Sequence, residues 1–145
     1  LRTSRGLGDV YKRQASNMSL GIANLKSSIE AYLLSLKVTS KCKILEIHHT
    51  NKKDSPSGTA LEILNFLENL PESKIDGFID VQSLRVGNVF GMHRVEFENE
   101  DGVTTFQHIA NSRDVFAIGA LQAARWINLK ENGKYSFADF LNKKL

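Results

Sequence analysis

The segment richest in chemical groups is EIHHTNKKDSPSGTA, residues 46–60. It contains two adjacent imidazoles, His48 and His49, and an ammonium group at Lys52, four residues after the first imidazole. Imidazole titrates near neutral pH, so either histidine can take up or release a proton during a reaction. The segment therefore predicts acid/base chemistry.

The same segment continues with DSPSGT, which predicts the start of a helix. Asp54 or Ser55 can cap it, and Pro56 suits the first helical position. Gly58 has no Cβ, so a ligand can approach the backbone closely. Free N–H groups and the helix dipole favour an anion at such a helix start, and the Thr59 hydroxyl adds a donor. These features favour a small molecule that carries a carboxylate.

Simpler interpretations of the segment stay open at this point. A Pro-Ser-Gly-Thr turn before an apolar stripe is most often only a capped helix, and a His-His pair is more often structural than catalytic. Adjacent strand residues point to opposite faces, and the sequence has no HExxH motif or cysteine cluster, so we expect no metal. We interpret His93 and His108, on predicted strands, as structural or surface residues.

The cysteine content is one residue, Cys42, which excludes an internal disulfide. We interpret it as an inert, small apolar residue. A reducing, cytoplasmic setting fits this composition.

The periodicity of apolar residues predicts an α+β fold with a mixed, largely antiparallel sheet packed by helices. The Asn-Glu-Asp-Gly stretch predicts a hairpin, and Ser136 with Asp139 fits a capping box for a last short helix. The predicted helix 115–129, in the last third of the chain, is apolar on nearly all sides, so we expect other parts of the protein to pack against it from two directions. The predicted helices are 19–38, 60–70 and 115–129, and the predicted strands are 42–47, 78–86, 89–98 and 103–110.

The net charge of +3 is carried by residues 1–14, which hold four basic residues and one acid. The other 131 residues hold 15 charges of each sign, so the body of the chain has no bias toward nucleic acid or anionic lipid. No apolar run approaches the roughly 20 residues of a membrane span. Residues 1–14 have no sustained apolar period, and we expect them to be a non-native or disordered leader.

Four stretches resemble one enzyme family. HHTNKKDSPSGTA is similar to the signature of the 4-hydroxy-tetrahydrodipicolinate reductases (dihydrodipicolinate reductases), NAD(P)H enzymes of the diaminopimelate route to lysine. ASNMSLG resembles the family's loop between two domains. SLRVGNVFGMHRVEFE and HIANSRDVFAIGALQAARWI resemble two further family segments, in the family's order. Met18 and Met92 stand where the family usually has Phe and Glu.

The resemblance assigns roles to residues of the long motif. His48 matches the general acid/base histidine, Lys52 the proton-donating lysine and His49 a histidine that contacts substrate. The turn that holds a substrate carboxylate falls on Ser57, Gly58 and Thr59. The implied reaction is hydride transfer from NADH or NADPH to a cyclic, imine-containing dicarboxylate, with proton transfer by the protein.

The resemblance also implies an organisation into parts. Residues 15–113 are expected to form a substrate-binding and tetramerisation domain, and residues 114–145 return helices that pack on a nucleotide-binding Rossmann domain missing from this sequence. The chain alone is then expected to be inactive, and the parent protein a homotetramer. Cofactor contacts are expected from Ala15, Ser16, Asn17, Met18 and Arg113.

Two rival classes remain. One is a non-catalytic oligomerisation or interaction module of the same fold, against which the retention of both His48 and Lys52 argues. The other is a different two-domain NAD(P)-dependent dehydrogenase, such as a semialdehyde dehydrogenase. That class needs a nucleophilic cysteine in a catalytic loop, whereas Cys42 begins a predicted strand.

Overall fold

The structure, a computed structural model, describes residues 11–14, 17–71 and 73–141. Within them the chain forms six strands and four helices. In chain order these are β1 (Tyr11–Gln14), α1 (Leu20–Ser35), β2 (Lys41–His48), α2 (Gly58–Glu68), β3 (Asp80–Arg85), β4 (Met92–Asn99), β5 (Gly102–Ile109), α3 (Asp114–Ile127), β6 (Gly133–Ser136) and α4 (Phe137–Leu141).

The central sheet has four strands in the order β3-β2-β4-β5. β2 and β3 run parallel, whereas the β2–β4 and β4–β5 pairs are antiparallel. The sheet is therefore mixed and mostly antiparallel, which confirms the predicted α+β class. The predicted hairpin is also confirmed, since β4 and β5 are joined at Asn99 and Gly102 and the latter has a φ of 126°.

The hydrophobic core lies between one face of this sheet and helices α1 and α2. Alternate residues of β2 point inward, so Cys42 and Ile44 are buried beside Phe97 and Val95 of the neighbouring strand. The helices add apolar residues at three- and four-residue spacing, which is what a helix needs to cover a sheet with one face. These helix residues are Leu25, Ile29, Leu33, Ala60, Ile63 and Leu67.

The inward face of the sheet becomes polar toward the end of β2. Glu46 lies opposite Ser83 on one side and His93 on the other, and His93 in turn lies opposite His108. Because side chains alternate along a strand, all four belong to the same face as the apolar core. The sheet thus places a polar row where its core ends.

The start of α2 differs from the expectation. Its N-cap is Ser57, whose Oγ accepts the N–H of Ala60 at 3.2 Å, and not Asp54 or Ser55. Pro56 follows a cis peptide bond and precedes the cap, so it is not the first helical residue. The physical reason is a distant partner: the backbone N–H of Ser57 donates to Glu46 in β2, which sets the cap position.

The last third of the chain contains α3, β6 and α4. The predicted capping box is confirmed, since the N–H of Asp139 donates to Ser136 Oγ at 3.2 Å and the N–H of Ser136 donates to Asp139 Oδ2 at 2.6 Å. Only Gly119 and Ala123 of α3 are buried, and several of its large apolar residues are exposed: Phe116, Ile118 and Leu121.

The leader expected at residues 1–14 lies partly outside the described residues. Residues 11–14 form β1, which pairs in parallel with β6 and was not expected from the sequence. Residues 1–10 lie outside the described part of the chain, so their expected disorder stays a prediction. Among the described helices, none has the length and apolar character to cross a membrane.

Candidate active site

A cleft of about 390 Å³ opens at the end of β2 and the start of α2. All the residues of the long motif to which the resemblance gives a role line this cleft, and Arg113 joins them from the start of α3. The lining residues are His48, His49, Lys52, Asp54, Ser57, Gly58, Thr59, Phe90, Arg113 and Phe116. The fold therefore brings together groups from the β2 end, the α2 start and the α3 start.

His48, the last residue of β2, is buried and fixed on one edge of its ring. Its Nδ1 contacts the Glu46 carboxylate, two residues earlier on the same face. Its ring meets the His93 ring edge-on, with centroids 5.0 Å apart. Burial lowers the pKa of His48, and the neighbouring Glu46 carboxylate opposes that shift without cancelling it. The lowered pKa favours the uncharged form of the His48 ring, which lies beside the fixed Glu46 carboxylate.

Glu46 is fully buried, yet both of its oxygens have partners. Oε2 contacts His48, while Oε1 accepts from Arg85 Nη2 at 2.9 Å and from the Ser57 N–H at 3.2 Å. Burial alone would raise the pKa of Glu46, but the hydrogen bond from Arg85 and its other partners outweigh burial and leave that pKa lowered. Glu46 is therefore a carboxylate at neutral pH.

Arg85 ties the end of β3 to the motif. Besides Glu46, its Nη2 donates to the backbone carbonyl of Asp54 at 2.5 Å. Nη2 carries two hydrogens, so it can donate to both acceptors at once. The loop between β2 and α2 is thereby anchored to the sheet.

His93 lies behind the cap of α2. Its Nε2 is 3.2 Å from Ser57 Oγ, which joins the polar row of the sheet to the helix start. Burial, as the largest cause, and then the neighbouring His48 lower the pKa of His93 to about 4. His93 is consequently neutral near pH 7 and serves as a hydrogen-bond partner there.

Lys52 and Asp54 form an ion pair at the mouth of the cleft, with Nζ and Oδ1 2.8 Å apart. The hydrogen bond from Lys52 is the main cause that lowers the pKa of Asp54. Both side chains contact solvent, so screening keeps this pair weak and easily exchanged. A ligand carboxylate can therefore compete with Asp54 for the ammonium.

The start of α2 offers open space for a ligand and a hydrogen-bond donor. A Cβ built on Gly58 would meet no atom within 4 Å, so that position faces open space. Thr59 Oγ1 accepts from Asn17 Nδ2 at 2.7 Å, which leaves its hydroxyl hydrogen for another acceptor. Both features agree with the predicted anion site.

His49 and Arg113 also line the cleft and contact each other. Arg113 Nη2 lies 2.9 Å from His49 Nε2, and since guanidinium only donates, His49 accepts there. Arg113 was expected to contact a cofactor, and that contact stays a prediction; in the structure Arg113 pairs with His49, a residue expected to contact substrate.

The loop expected to close over the cofactor is described only in part. Ala15 and Ser16 lie outside the described residues. Asn17 is buried and holds Thr59, while a Cβ on Gly119 of α3 would lie 1.7 Å from the Met18 carbonyl oxygen. Asn17 and Met18 therefore lie between the start of α2 and the second turn of α3.

Sequence reasoning missed Glu46, Arg85 and His93. Glu46 could have been found, because it lies two residues before His48 on a predicted strand and so shares its face. Arg85 and His93 lie in SLRVGNVFGMHRVEFE, a stretch that resembles a family segment, and that resemblance could have drawn attention to them. Their contacts with Glu46 and Ser57 could not be read from the sequence, because they depend on the register of three strands. His93 had been interpreted as structural or surface; the structure shows it buried behind the α2 cap, where its Nε2 lies 3.2 Å from Ser57 Oγ.

Glu46, His48 and His93 could in principle hold a metal ion, since their ligand atoms lie within 4.8 Å of one another. Arg85 argues against one. Its cationic group is 2.9 Å from the same carboxylate and would repel a divalent ion. The contacts among the described residues form a hydrogen-bond network as they stand.

The fold of this chain has a counterpart in a solved structure. The structure aligns, with a TM-score of 0.71 and 18% identity, with dipicolinate-bound dihydrodipicolinate reductase from Paenisporosarcina sp. TG-14. The alignment covers 89% of this chain and 54% of that one.

The sequence model described as "Dihydrodipicolinate reductase, C-terminus" matches residues 22–141, and the chain belongs to that family. Relatives named 4-hydroxy-tetrahydrodipicolinate reductase include one from Bdellovibrio bacteriovorus, 39% identical over 88% of this chain and 53% of the relative. Another, from Thermosipho africanus, is 40% identical over 90% of this chain and 56% of the relative. The resemblance is confirmed, and the chain spans about half the length of these relatives.

Proposed function

We propose that this chain is the substrate-binding part of an NADH- or NADPH-dependent 4-hydroxy-tetrahydrodipicolinate reductase of lysine and diaminopimelate biosynthesis. The observation that carries the proposal is that the residues with family roles lie together in one cleft. His48, Lys52 and the α2 start, which the resemblance names as proton-transfer and carboxylate-binding groups, line one cleft in a chain of that family.

The cleft suits a small dianion. Lys52 and Arg113 supply two positive charges, Asp54 supplies one negative charge, and His48 and His49 supply ring nitrogens. A substrate carboxylate displaces Asp54 from Lys52 and accepts from the Thr59 hydroxyl. The open position at Gly58 lets that carboxylate approach the helix start, where the dipole favours it.

Proton transfer falls to His48 and Lys52. Lys52, at the mouth of the cleft, donates a proton to the ring as it is reduced, and His48 exchanges a proton from the cleft wall. A nicotinamide cofactor, when bound, supplies the hydride that completes the reduction. The resemblance implies that most groups that bind this cofactor lie on another domain. Asn17 and Met18 belong to the loop that is proposed to close over the cofactor.

The parent protein is proposed to be a cytoplasmic homotetramer. Support comes from the outward face of the sheet, which α1 and α2 leave uncovered and which exposes Leu84, Val103 and Ile109. Sedimentation of this chain at tens of micromolar tests this part, and a clean monomer counts against assembly through the sheet.

The test of the enzyme is a chimaera of the N-terminal half of the Thermosipho africanus relative and residues 15–145 of this chain. We expect oxidation of NADH or NADPH that depends on 4-hydroxy-tetrahydrodipicolinate. The unfused chain is the control and should show none. A folded, tetrameric chimaera without turnover would refute the enzyme assignment and favour the non-catalytic module.

A further inference from the structure

Glu46 has no role in the function proposed above, although it is the most completely buried charged group of the site. Its exposed fraction is 0%, whereas carboxylates are almost never fully buried unless they are paired. A buried carboxylate is retained only where its partners compensate for the lost hydration. The identity of those partners therefore indicates what it does.

The partners of Glu46 fix its orientation completely. Oε1 is occupied by Arg85 from β3 and by the Ser57 N–H from the α2 cap. Oε2 is thereby turned toward His48 Nδ1. Three separate elements, the end of β3, the start of α2 and the end of β2, meet at this one carboxylate.

An ionised carboxylate only accepts hydrogen bonds, so the nitrogen that contacts it must carry the hydrogen. Neutral His48 then has its hydrogen on Nδ1 and a lone pair on Nε2. We propose that Glu46 is a positioning residue that holds His48 in this tautomer and leaves Nε2 as the proton-exchanging atom. The inference rests on the proposed function for its catalytic meaning, but the tautomer itself does not.

Gly91 supports the assignment of Nε2. A Cβ at this position would lie 2.9 Å from Nε2, too close for any real contact, and the His48 ring is held by Glu46 and cannot swing away at low cost. Glycine at position 91 thus keeps the space beside Nε2 open. With Nδ1 turned to Glu46, Nε2 is the nitrogen left for a ligand in the cleft that His48 lines.

The charged and titratable groups around His48 come from all the elements packed against it. They are Glu46 on its own strand, Lys52 from the following loop, Arg85 from β3 and His93 from β4. Among these described groups, Glu46 alone stabilises the protonated imidazole, because the cations Lys52 and Arg85 oppose it. Loss of the Glu46 charge should therefore lower the pKa of His48 further.

Glu46→Gln is the informative variant because it preserves shape. Arg85 and the Ser57 N–H need an acceptor, so the glutamine carbonyl oxygen takes the place of Oε1. Its amide NH₂ then faces His48 Nδ1 and donates to it, which moves the ring hydrogen to Nε2. Glu98→Gln, on the exposed end of β4, is the matched control.

The experiment is long-range ¹H–¹⁵N correlation of the imidazoles in the full 145-residue chain, recorded across pH. In the unmodified chain and in Glu98→Gln, we expect His48 with protonated Nδ1 and unprotonated Nε2. In Glu46→Gln we expect the reverse and a lower titration midpoint. Protonated Nε2 in the unmodified chain would overturn the proposal without any variant, so a Glu46→Gln chain that fails to fold does not rescue it.

The catalytic consequence is measured in the chimaera. Glu46→Gln should lower kcat at least about tenfold with KM nearly unchanged, because the substrate-binding groups remain while the acid/base nitrogen is blocked. Unchanged kcat with the reversed tautomer would refute the positioning role. An unmodified chimaera that is folded and tetrameric but inactive would instead refute the proposed function and leave the tautomer result standing.

Discussion

Substitution of Gly58 by valine should abolish binding of a planar dicarboxylate while leaving the fold intact. A Cβ at this position meets no atom within 4 Å, and Gly58 lines the cleft, so we expect the valine side chain to occupy cleft space without a clash at its Cβ. Gly58 is the first residue of α2, and its backbone has no positive φ that valine would strain. The free energy of unfolding should therefore change little.

The magnitude follows from how the cleft holds an anion. Pyridine-2,6-dicarboxylate should bind this chain in the millimolar range, about −4 kcal/mol, because its charge contacts are open to water. Two methyl groups at the helix start remove both the space and the approach to the dipole. Loss of even about 1.4 kcal/mol weakens binding tenfold, beyond what a millimolar titration detects.

The assay is NMR titration of the amide signals of residues 57–60. We expect saturable shifts that shrink as salt rises, since the attraction is ionic and exposed. Gly58→Ala is the graded control and should keep part of the affinity. Absence of shifts in the unmodified chain, or equal shifts in Gly58→Val, would remove the carboxylate site.

Three further predictions follow from the same structure. In the chimaera, His48→Ala and Lys52→Ala should each lower turnover by about 10²–10⁴-fold with little change in cofactor affinity; survival of turnover within a few-fold would refute the assigned role. Burial lowers the pKa of His93 from 6.5 to about 4, so as pH falls the unfolded chain binds a proton at this histidine before the folded chain does. Stability should therefore fall as pH drops through this window, by roughly 3 kcal/mol. Denaturant unfolding at several pH values should show this slope, which should be shallower in His93→Gln. Deletion of residues 1–14 removes only a four-residue described strand, so the thermal midpoint should move by less than a few degrees.

The elements of the fold were largely predictable because their signals are local. The alternation of apolar residues along 42–47 and their helical spacing along 19–38 each arise within a single segment that packs one face against the core. The same holds for the hairpin at Asn99 and for the Ser136 box, whose partners lie three residues apart. In each case the residues that decide the structure are neighbours in sequence.

The site was predictable only where it is contiguous. His48, Lys52 and Gly58 belong to one motif, so their proximity required no knowledge of the sheet. The cap of α2 was predicted wrongly because Asp54, Ser55 and Ser57 are all good caps, and a contact with β2 selects the last. Local propensity ranks such candidates, but a tertiary hydrogen bond decides among them.

The polar row at the end of the core shows why these distant contacts matter. A fully buried carboxylate with a guanidinium partner contributes little net stability, since desolvation consumes most of the attraction. Apolar residues in place of Glu46 and Arg85 would extend the core at less cost. The pair instead fixes one side of an imidazole and one helix cap at once. A network that stabilises weakly but orients strongly is what a proton-transfer site needs, because the geometry of His48 decides whether a proton can move.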